Sequence, residues 1–153
     1  MKRIGIIIMM ISAICCVGLL AQGRQASDEQ IGEKGVGMIV MRFNEEELLI
    51  HLFDNPTSRN LVRMLPLTLS FKDYASTEKI AYLAEELSTE NAPDGYEPTA
   101  GDLTLYAPWG NLALFYRDFS YSRGLIPIGT IEVGSEKLLN MKEDFTAILD
   151  VQD

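Results

Sequence analysis

The sequence has very few of the side chains that most catalytic and metal sites use. It contains one histidine, His51, and two cysteines, Cys15 and Cys16, which are adjacent near the N-terminus. A transition-metal site needs several such ligands in one place, and a Ser-His-Asp site would depend on a histidine that lies within an apolar, strand-like run. No glycine-rich phosphate loop is present. We therefore expect no metal, no cofactor and no hydrolase chemistry.

Basic residues are also scarce. The chain has 13 Lys and Arg residues against 22 Asp and Glu residues, which gives a net charge of −9. Such a surface repels nucleic acid and anionic lipid head groups, so we expect no nucleic-acid partner. Four acidic residues in one predicted loop, Glu90, Asp94, Glu97 and Asp102, lack the spacing of a calcium-binding EF-hand loop, and we expect them to be solvated.

The one long hydrophobic run lies at the N-terminus. Residues 4–21 are uncharged and strongly apolar and follow the basic Lys2 and Arg3. The run ends at the small residue Ala21, and a second small residue, Gly23, lies two positions later. This layout predicts a secretory signal peptide over residues 1–23, a flexible leader over 24–37 and one domain over 38–153, exported to the periplasm or the extracellular space. Cleavage would remove both cysteines. A membrane anchor is the main alternative, since the run is near the minimum length that spans a bilayer, and lipid attachment at the cysteines is a third.

Short β-prone runs separated by turns make up most of the predicted domain. Residues 38–43 and 48–53 flank a polar break at 44–47 and predict a hairpin, and residues 67–71 alternate between apolar and polar. The remaining predicted strands are 103–107, 112–116, 125–133 and 145–151. Since the run 112–116 is apolar at every position, we expect that strand to be covered on both faces.

Two short helices complete the pattern. Asn55 can cap a helix that begins with Pro56 and ends at about Leu65, before Pro66. A second helix is predicted over residues 136–141, with Ser135 as its cap. The fold class that follows is mainly β, with a closed or nearly closed barrel of about eight strands and a helix at each end.

The densest group of aromatic residues lies around one predicted hairpin, whose turn is Pro108-Trp109-Gly110. Aromatic side chains offer apolar area with a polar tip, an arginine can bind a carboxylate, and an asparagine can donate or accept a hydrogen bond. Aromatic residues on strands more often pack in a core, so Trp109 and Tyr121, which lie in predicted turns, are the best candidates for exposure. The candidate ligand-binding residues are Tyr106, Trp109, Asn111, Tyr116, Arg117 and Tyr121.

The order of these elements resembles the cyclophilin-like fold. A strand ends in Leu52-Phe53 and leads into the first helix, and residues 128–134 followed by 136–141 resemble the late cyclophilin strand, acidic turn and second helix. Over residues 38–151 the chain is similar, more closely, to a bacterial cyclophilin-like family without an established activity. The segments that show this similarity are DNPTSRNLVRMLPLTLSFKDY, EKIAYL, APDGY, GDLTLYAPWGNLALFYRDF and LIPIGTIEVG.

The chain departs from active cyclophilins at their catalytic motif. Those enzymes carry Phe-His-Arg on the strand after the first helix, and the arginine lowers a prolyl isomerisation barrier of roughly 18–20 kcal/mol. The matching residues 67–91 contain no arginine and no histidine. Lys72 is not an equivalent donor because it lacks the planar guanidinium fork. No catalytic residue is therefore carried over from the resemblance.

The residues and the resemblance together predict an exported, non-catalytic module that binds a peptide or a small molecule. One alternative is a divergent peptidyl-prolyl isomerase, in which Arg117 or Arg123 approaches the groove from another direction. The other is an accessory domain that docks a partner protein. The resemblance implies a flavodoxin-like partner, since related domains occur beside flavodoxin-like domains.

Overall fold

Eight antiparallel strands close into a barrel in the computed structural model, which describes residues 37–140 and 143–152. The barrel order is β1-β10-β3-β4-β7-β6-β9-β2, and β5 pairs with β8 in a separate two-stranded sheet. The predicted mainly-β barrel with two short helices is confirmed. The elements are β1 (Met38–Phe43), β2 (Glu46–Leu52), α1 (Pro56–Met64), β3 (Leu67–Tyr74), β4 (Glu78–Tyr82), β5 (Gly95–Tyr96), β6 (Asp102–Tyr106), β7 (Asn111–Phe115), β8 (Ser122–Arg123), β9 (Leu125–Val133), α2 (Ser135–Asn140) and β10 (Phe145–Val151).

The hairpin between β1 and β2 is tighter than the sequence predicts. Its turn consists only of Asn44 and Glu45, which have φ angles of 45° and 65°. Two consecutive residues with positive φ are typical of the turn whose twist matches a two-residue hairpin, and asparagine tolerates this conformation well. The acidic residues that follow join the ladder, with Glu46 opposite Phe43 and Glu47 opposite Arg42. The predicted four-residue break was therefore two residues too long.

Helix α1 is fixed at one end of the barrel by its cap. Asn55 Oδ1 accepts a hydrogen bond from the Ser58 backbone N–H at 2.8 Å, as the sequence predicts for a cap followed by proline. Asn55 also donates to the Pro127 carbonyl on β9 at 2.9 Å, and Ser58 Oγ donates to the Ile128 carbonyl at 2.8 Å. Leu61 is fully buried against the core. The cap therefore joins the helix to the barrel as well as starting it.

The barrel interior is filled by apolar side chains, as expected for a barrel of this strand number. Leu112 and Leu114 point inward from β7 and are fully buried. The rings of Phe43 and Phe71 both pack on Phe145, with centroid distances of 4.7 and 5.3 Å. The other residues of β7, Asn111, Ala113 and Phe115, lie on the outer face and are also buried, which confirms that this strand is covered on both faces.

The segments that flank β5 and β8 cover part of this outer face. Tyr96 packs near Ala113 and Phe115, and its hydroxyl donates to Asp102 Oδ2 at 3.0 Å. The same oxygen accepts from the backbone N–H of Thr99 at 2.8 Å. Asp102 is only 4% exposed, so the expectation that it is solvated was wrong. Its carboxylate anchors the loop before β6 instead.

The predicted signal peptide and nearly all of the predicted leader lie outside the described residues. Within residues 37–140 and 143–152, neither helix is long and apolar enough to cross a membrane.

Candidate ligand-binding groove

A groove of about 210 Å³ lies on the outer face of the barrel wall. Strands β3, β4, β7, β6 and β9 each contribute at least one side chain to it. The β6–β7 turn, the segment before β8 and β8 itself supply the rest. The lining residues are Tyr74, Glu78, Ile80, Tyr106, Trp109, Asn111, Phe115, Phe119, Ser122 and Leu125.

Strand pairing decides which side chains meet in the groove. Glu78 on β4 lies opposite Tyr74 on β3 and opposite Phe115 on β7. Because side chains alternate along a strand, Ile80 shares the outer face with Glu78, while Lys79 and Ala81 point into the barrel. Three consecutive strands thus place an aromatic ring, a carboxylate and a second aromatic ring side by side at one end of the groove.

Trp109 forms the rim of the groove. Its ring meets Tyr74 and Tyr106 edge to face, with centroid distances of 5.7 and 5.3 Å. Trp109 is 49% exposed and Tyr74 is 42% exposed, so these rings present apolar surface to solvent. Gly110 follows with a φ of 67°, and its N–H donates to the Tyr106 carbonyl at 2.9 Å. This hydrogen-bonded turn holds Trp109 between the two tyrosines.

Asn111 has an unused hydrogen-bond acceptor in the groove lining. The side chain is 1% exposed, and its Nδ2 donates to the Leu112 carbonyl at 3.0 Å. Its Oδ1 has no partner, and among the described residues it is the one buried side-chain polar atom in this condition. A buried acceptor without a donor costs about 1–3 kcal/mol. A ligand N–H or O–H at this position would remove that cost.

Glu78 is a partly buried carboxylate without a partner. No described residue donates a hydrogen bond to its carboxylate or forms an ion pair with it. Burial raises the pKa of Glu78 from its usual value of 4.5 to about 7. The groove therefore holds an acid that changes its charge near neutral pH.

A second depression adjoins the groove on the other side of Trp109. It has a volume of about 640 Å³ and is lined by residues 82–87 and 107–110 together with Thr89 and Leu105. Glu85 and Glu86 contribute carboxylates to it. Neither depression has a lysine, an arginine or a histidine among its lining residues.

A separate ion pair lies on the inner side of β4 and joins a buried lysine to a partly exposed aspartate. The Lys79 side chain is fully buried, and its Nζ is 3.1 Å from Asp73 Oδ1 and donates to the Glu143 carbonyl at 3.3 Å. Tyr116 Oη donates to the same Asp73 oxygen at 2.7 Å. Burial opposes ionisation of Asp73, but the hydrogen bonds from Tyr116 and Lys79 and the lysine charge hold its pKa below the usual value. Burial and the Asp73 carboxylate raise the pKa of Tyr116 to about 12.

The structure brings together three of the six predicted ligand-binding residues. Tyr106, Trp109 and Asn111 line the groove. Tyr116 belongs to the Lys79 ion pair, and Arg117 lies beside the Tyr116 ring at 6.0 Å from its centroid. Tyr121, 57% exposed, lies against Gly95, where an added Cβ would be 2.6 Å from the tyrosine hydroxyl. Neither Arg117 nor Arg123 lines the groove.

Sequence reasoning missed the part of the groove that comes from β3 and β4. Tyr74, Glu78 and Ile80 lie in segments whose apolar pattern is interrupted, and the pairing of β3 with β4 is what aligns them with Phe115. Among residues 37–140 and 143–152, no group of three or more His, Cys, Asp or Glu side chains is placed to hold a metal ion.

Comparisons with known proteins bear on the fold. Residues 41–150 match the sequence model of the cyclophilin-like family. The solution structure of a hypothetical protein from Archaeoglobus fulgidus superimposes with a TM-score of 0.58 at 21% identity, covering 79% of this chain and 99% of that one. No curated protein sequence is significantly similar to the chain. At that identity, the structural likeness supports the barrel fold alone.

Proposed function

The chain belongs to the cyclophilin-like family, and from this premise we propose that it is a non-catalytic module that binds a peptide or a small ligand in the outer-face groove. The observation that supports this most directly is the unpaired Oδ1 of Asn111, buried in the lining of a groove with exposed aromatic rings. Apolar walls with a few polar groups aimed inward are typical of binding sites. The family itself supplies the fold and no activity.

The composition of the groove favours binding over prolyl isomerisation. An isomerase of the cyclophilin kind needs a donor that withdraws electron density from the prolyl amide. The groove residues able to donate through a side chain are tyrosines, Trp109, Ser122 and the Asn111 amide, and that amide is already used by the Leu112 carbonyl. No arginine is present among the lining residues. We therefore expect no acceleration of X-Pro isomerisation.

The proposed setting is outside the cytoplasm. The apolar run at residues 4–21, with its basic start and small residues after it, supports export. A non-catalytic module with an acidic, soluble surface fits that setting. Fractionation of expressing cells, with the mass of the recovered protein, tests both export and cleavage near Gly23.

Trp109 provides the readout for the binding proposal, because it is the only tryptophan in the chain and it lines the groove. The purified protein is titrated with a library of acetylated, amidated tetrapeptides that contain no tryptophan or tyrosine. We expect a saturable change in Trp109 emission. Binding measured by calorimetry should weaken at least tenfold in Asn111→Ala and stay unchanged in Tyr121→Ala, whose site lies outside the groove.

A protease-coupled prolyl isomerisation assay on the same protein tests the alternative that the protein is an isomerase. The expected rate equals the uncatalysed rate. Acceleration that disappears in Trp109→Ala would contradict the proposal and place a catalytic site in the groove. Absence of both acceleration and peptide binding would leave docking of a partner protein as the remaining hypothesis.

A further inference from the structure

The groove has different chemistry at its two ends. Glu78 lies opposite Phe115 on β7, whereas Asn111 lies four residues earlier on the same strand. At about 3.3 Å per residue, these strand positions are roughly 13 Å apart. A carboxylate therefore stands at one end, an unused amide oxygen at the other, and apolar side chains, including Ile80, between them.

The charged side chains that line the groove and the adjoining depression have one sign. Its lining includes one carboxylate and no basic side chain, and the adjoining depression adds Glu85 and Glu86 and also lacks basic side chains. Each end of the groove has one acceptor that no described residue pairs with, the Glu78 carboxylate at one end and Asn111 Oδ1 at the other. A ligand complementary to this surface carries a positive group at the Glu78 end and an N–H at the Asn111 end.

The size of the groove favours side chains over a drug-sized molecule. Small-molecule sites usually enclose about 300–1,000 Å³, and this groove encloses about 210 Å³. That volume suits one or two side chains of an extended peptide. The spacing of its two polar ends also matches an extended chain of about four residues at roughly 3.3 Å each.

We propose that the groove binds an extended peptide segment that carries one ammonium or guanidinium group beside apolar side chains, with Glu78 as its counter-ion. Asn111 Oδ1 accepts a backbone N–H from the other end of the segment. Tyr74, opposite Glu78, and Trp109 in contact with it add aromatic faces near the cation. This inference rests on the proposed binding function and specifies its ligand.

The test uses four Trp-free peptides and the emission of Trp109. The reference is acetyl-Ala-Leu-Ala-norleucine amide, which has no charge. Two peptides replace norleucine by lysine or by arginine, and the fourth keeps norleucine but has a free N-terminus, so the three sources of a positive group are distinguished. We expect at least one charged peptide to bind tenfold or more tightly than the reference at 150 mM salt.

The variant Glu78→Gln tests whether Glu78 causes the preference for a charged peptide. It keeps the shape of the side chain and removes its charge, so the preference for the charged peptide should disappear. Glu132→Gln is the matched control, because Glu132 is an exposed residue of β9 outside the groove and the substitution changes the net charge equally. Retained preference in the control excludes a general attraction of cations to an acidic protein. Asn111→Ala should weaken all four peptides by a similar factor.

Two other outcomes are informative in different ways. If charged and neutral peptides bind equally, or if the preference survives Glu78→Gln, the cationic ligand is wrong while peptide binding in the groove stands. If no peptide changes the Trp109 emission or the backbone amide NMR shifts of groove residues, both this inference and the proposed function fail.

Discussion

Glu78 and Lys79 are neighbours on β4 and place an ionisable group on each face of the same barrel wall. Lys79 points inward, is fully buried, and has both an ion pair with Asp73 and a hydrogen bond to the Glu143 carbonyl. Glu78 points outward into the groove, and no described residue pairs with it. A buried charge is tolerated when partners replace the lost water, as they do for Lys79.

The difference separates two uses of buried polar groups. On the inner face, the Lys79 charge is compensated by Asp73 and the Glu143 carbonyl, so the network supports the folded state. On the outer face, Glu78 and Asn111 Oδ1 are left uncompensated, which costs stability. Polar groups that destabilise a protein are retained where a ligand supplies the missing partner, and this is the pattern we assign to the groove.

The largest expected effect comes from breaking the inner pair. Asp73→Ala leaves a fully buried ammonium with the Glu143 carbonyl and the Tyr116 ring. We expect the free energy of unfolding to fall by about 3 kcal/mol, at the low end for broken buried pairs because the Asp73 side chain is 30% exposed. Urea denaturation followed by circular dichroism measures this change.

A double variant checks the physical cause. In Asp73→Ala/Lys79→Met, the buried charge is absent, and a side chain of similar length fills its place. We expect at least half of the lost stability to return, since a well-packed apolar replacement removes the desolvation cost. A double variant no more stable than Asp73→Ala would mean that the aspartate acts through its contacts with Tyr116 and the backbone and not through the lysine charge.

The second largest expected effect is a dependence of stability on pH that originates from Glu78 on the outer face. The folded-state pKa of Glu78 is about 7 and its usual value is 4.5, so the folded protein holds an extra proton between these values. The contribution of Glu78 to stability therefore falls as the pH rises from about 4.5 to 7. The full pKa shift corresponds to a change of about 3 kcal/mol in the free energy of unfolding. Because the groove is open to solvent, which screens the charge, we expect a change of about 2 kcal/mol.

Glu78→Gln removes this dependence, since glutamine does not titrate. At pH 8 the variant should be about 2 kcal/mol more stable than the wild type, and the difference should vanish near pH 4.5. The other ionisable side chains that line the groove are Tyr74 and Tyr106, and Lys72 lies beside them on β3. The nearby carboxylate of the outer face, Asp102, is held by hydrogen bonds from Tyr96 and Thr99 and does not line the groove. A wild type and a Glu78→Gln variant with parallel stability-pH curves would contradict burial of this acid. Glu132→Gln serves as the control.

Much of the fold could be predicted because its boundaries have local causes. β1, β9 and β10 begin and end at the predicted residues, since each is an apolar run closed by polar residues or glycine. Pro56 and Pro66 bracket α1 in the same way. The sheet of β5 and β8 was not predicted, because two-residue strands carry no periodicity and depend on loops that meet only in the folded protein.

The groove could be predicted only in part, because it depends on which side chains of each strand point outward and on the register between paired strands. Tyr106, Trp109 and Asn111 surround one turn, so sequence proximity was enough to group them. The run at residues 112–116 is apolar throughout and gives no sign of which residues point outward. Phe115 faces the groove and Tyr116 contacts Asp73, whereas the sequence favoured Tyr116 as a ligand-binding residue. Glu78 lines the groove because of the register of β4 with β3 and β7, which a single sequence does not reveal.

The smallest effect tests whether the aromatic rim belongs to the core or to a binding surface. Tyr74→Leu removes one ring contact of Trp109, and both rings are nearly half exposed. An edge-to-face pair contributes about 0.5–1.5 kcal/mol, so we expect a loss of at most about 1 kcal/mol, with a shift in Trp109 emission. Tyr121→Leu, at an exposed aromatic residue outside the groove, should leave that emission unchanged.

A loss of 3 kcal/mol or more in the free energy of unfolding of Tyr74→Leu would show that the Tyr74–Trp109 pair stabilises the barrel. A change in emission with little loss of stability would instead place Trp109 where a ligand can displace its neighbours without unfolding the barrel, which binding in this groove requires.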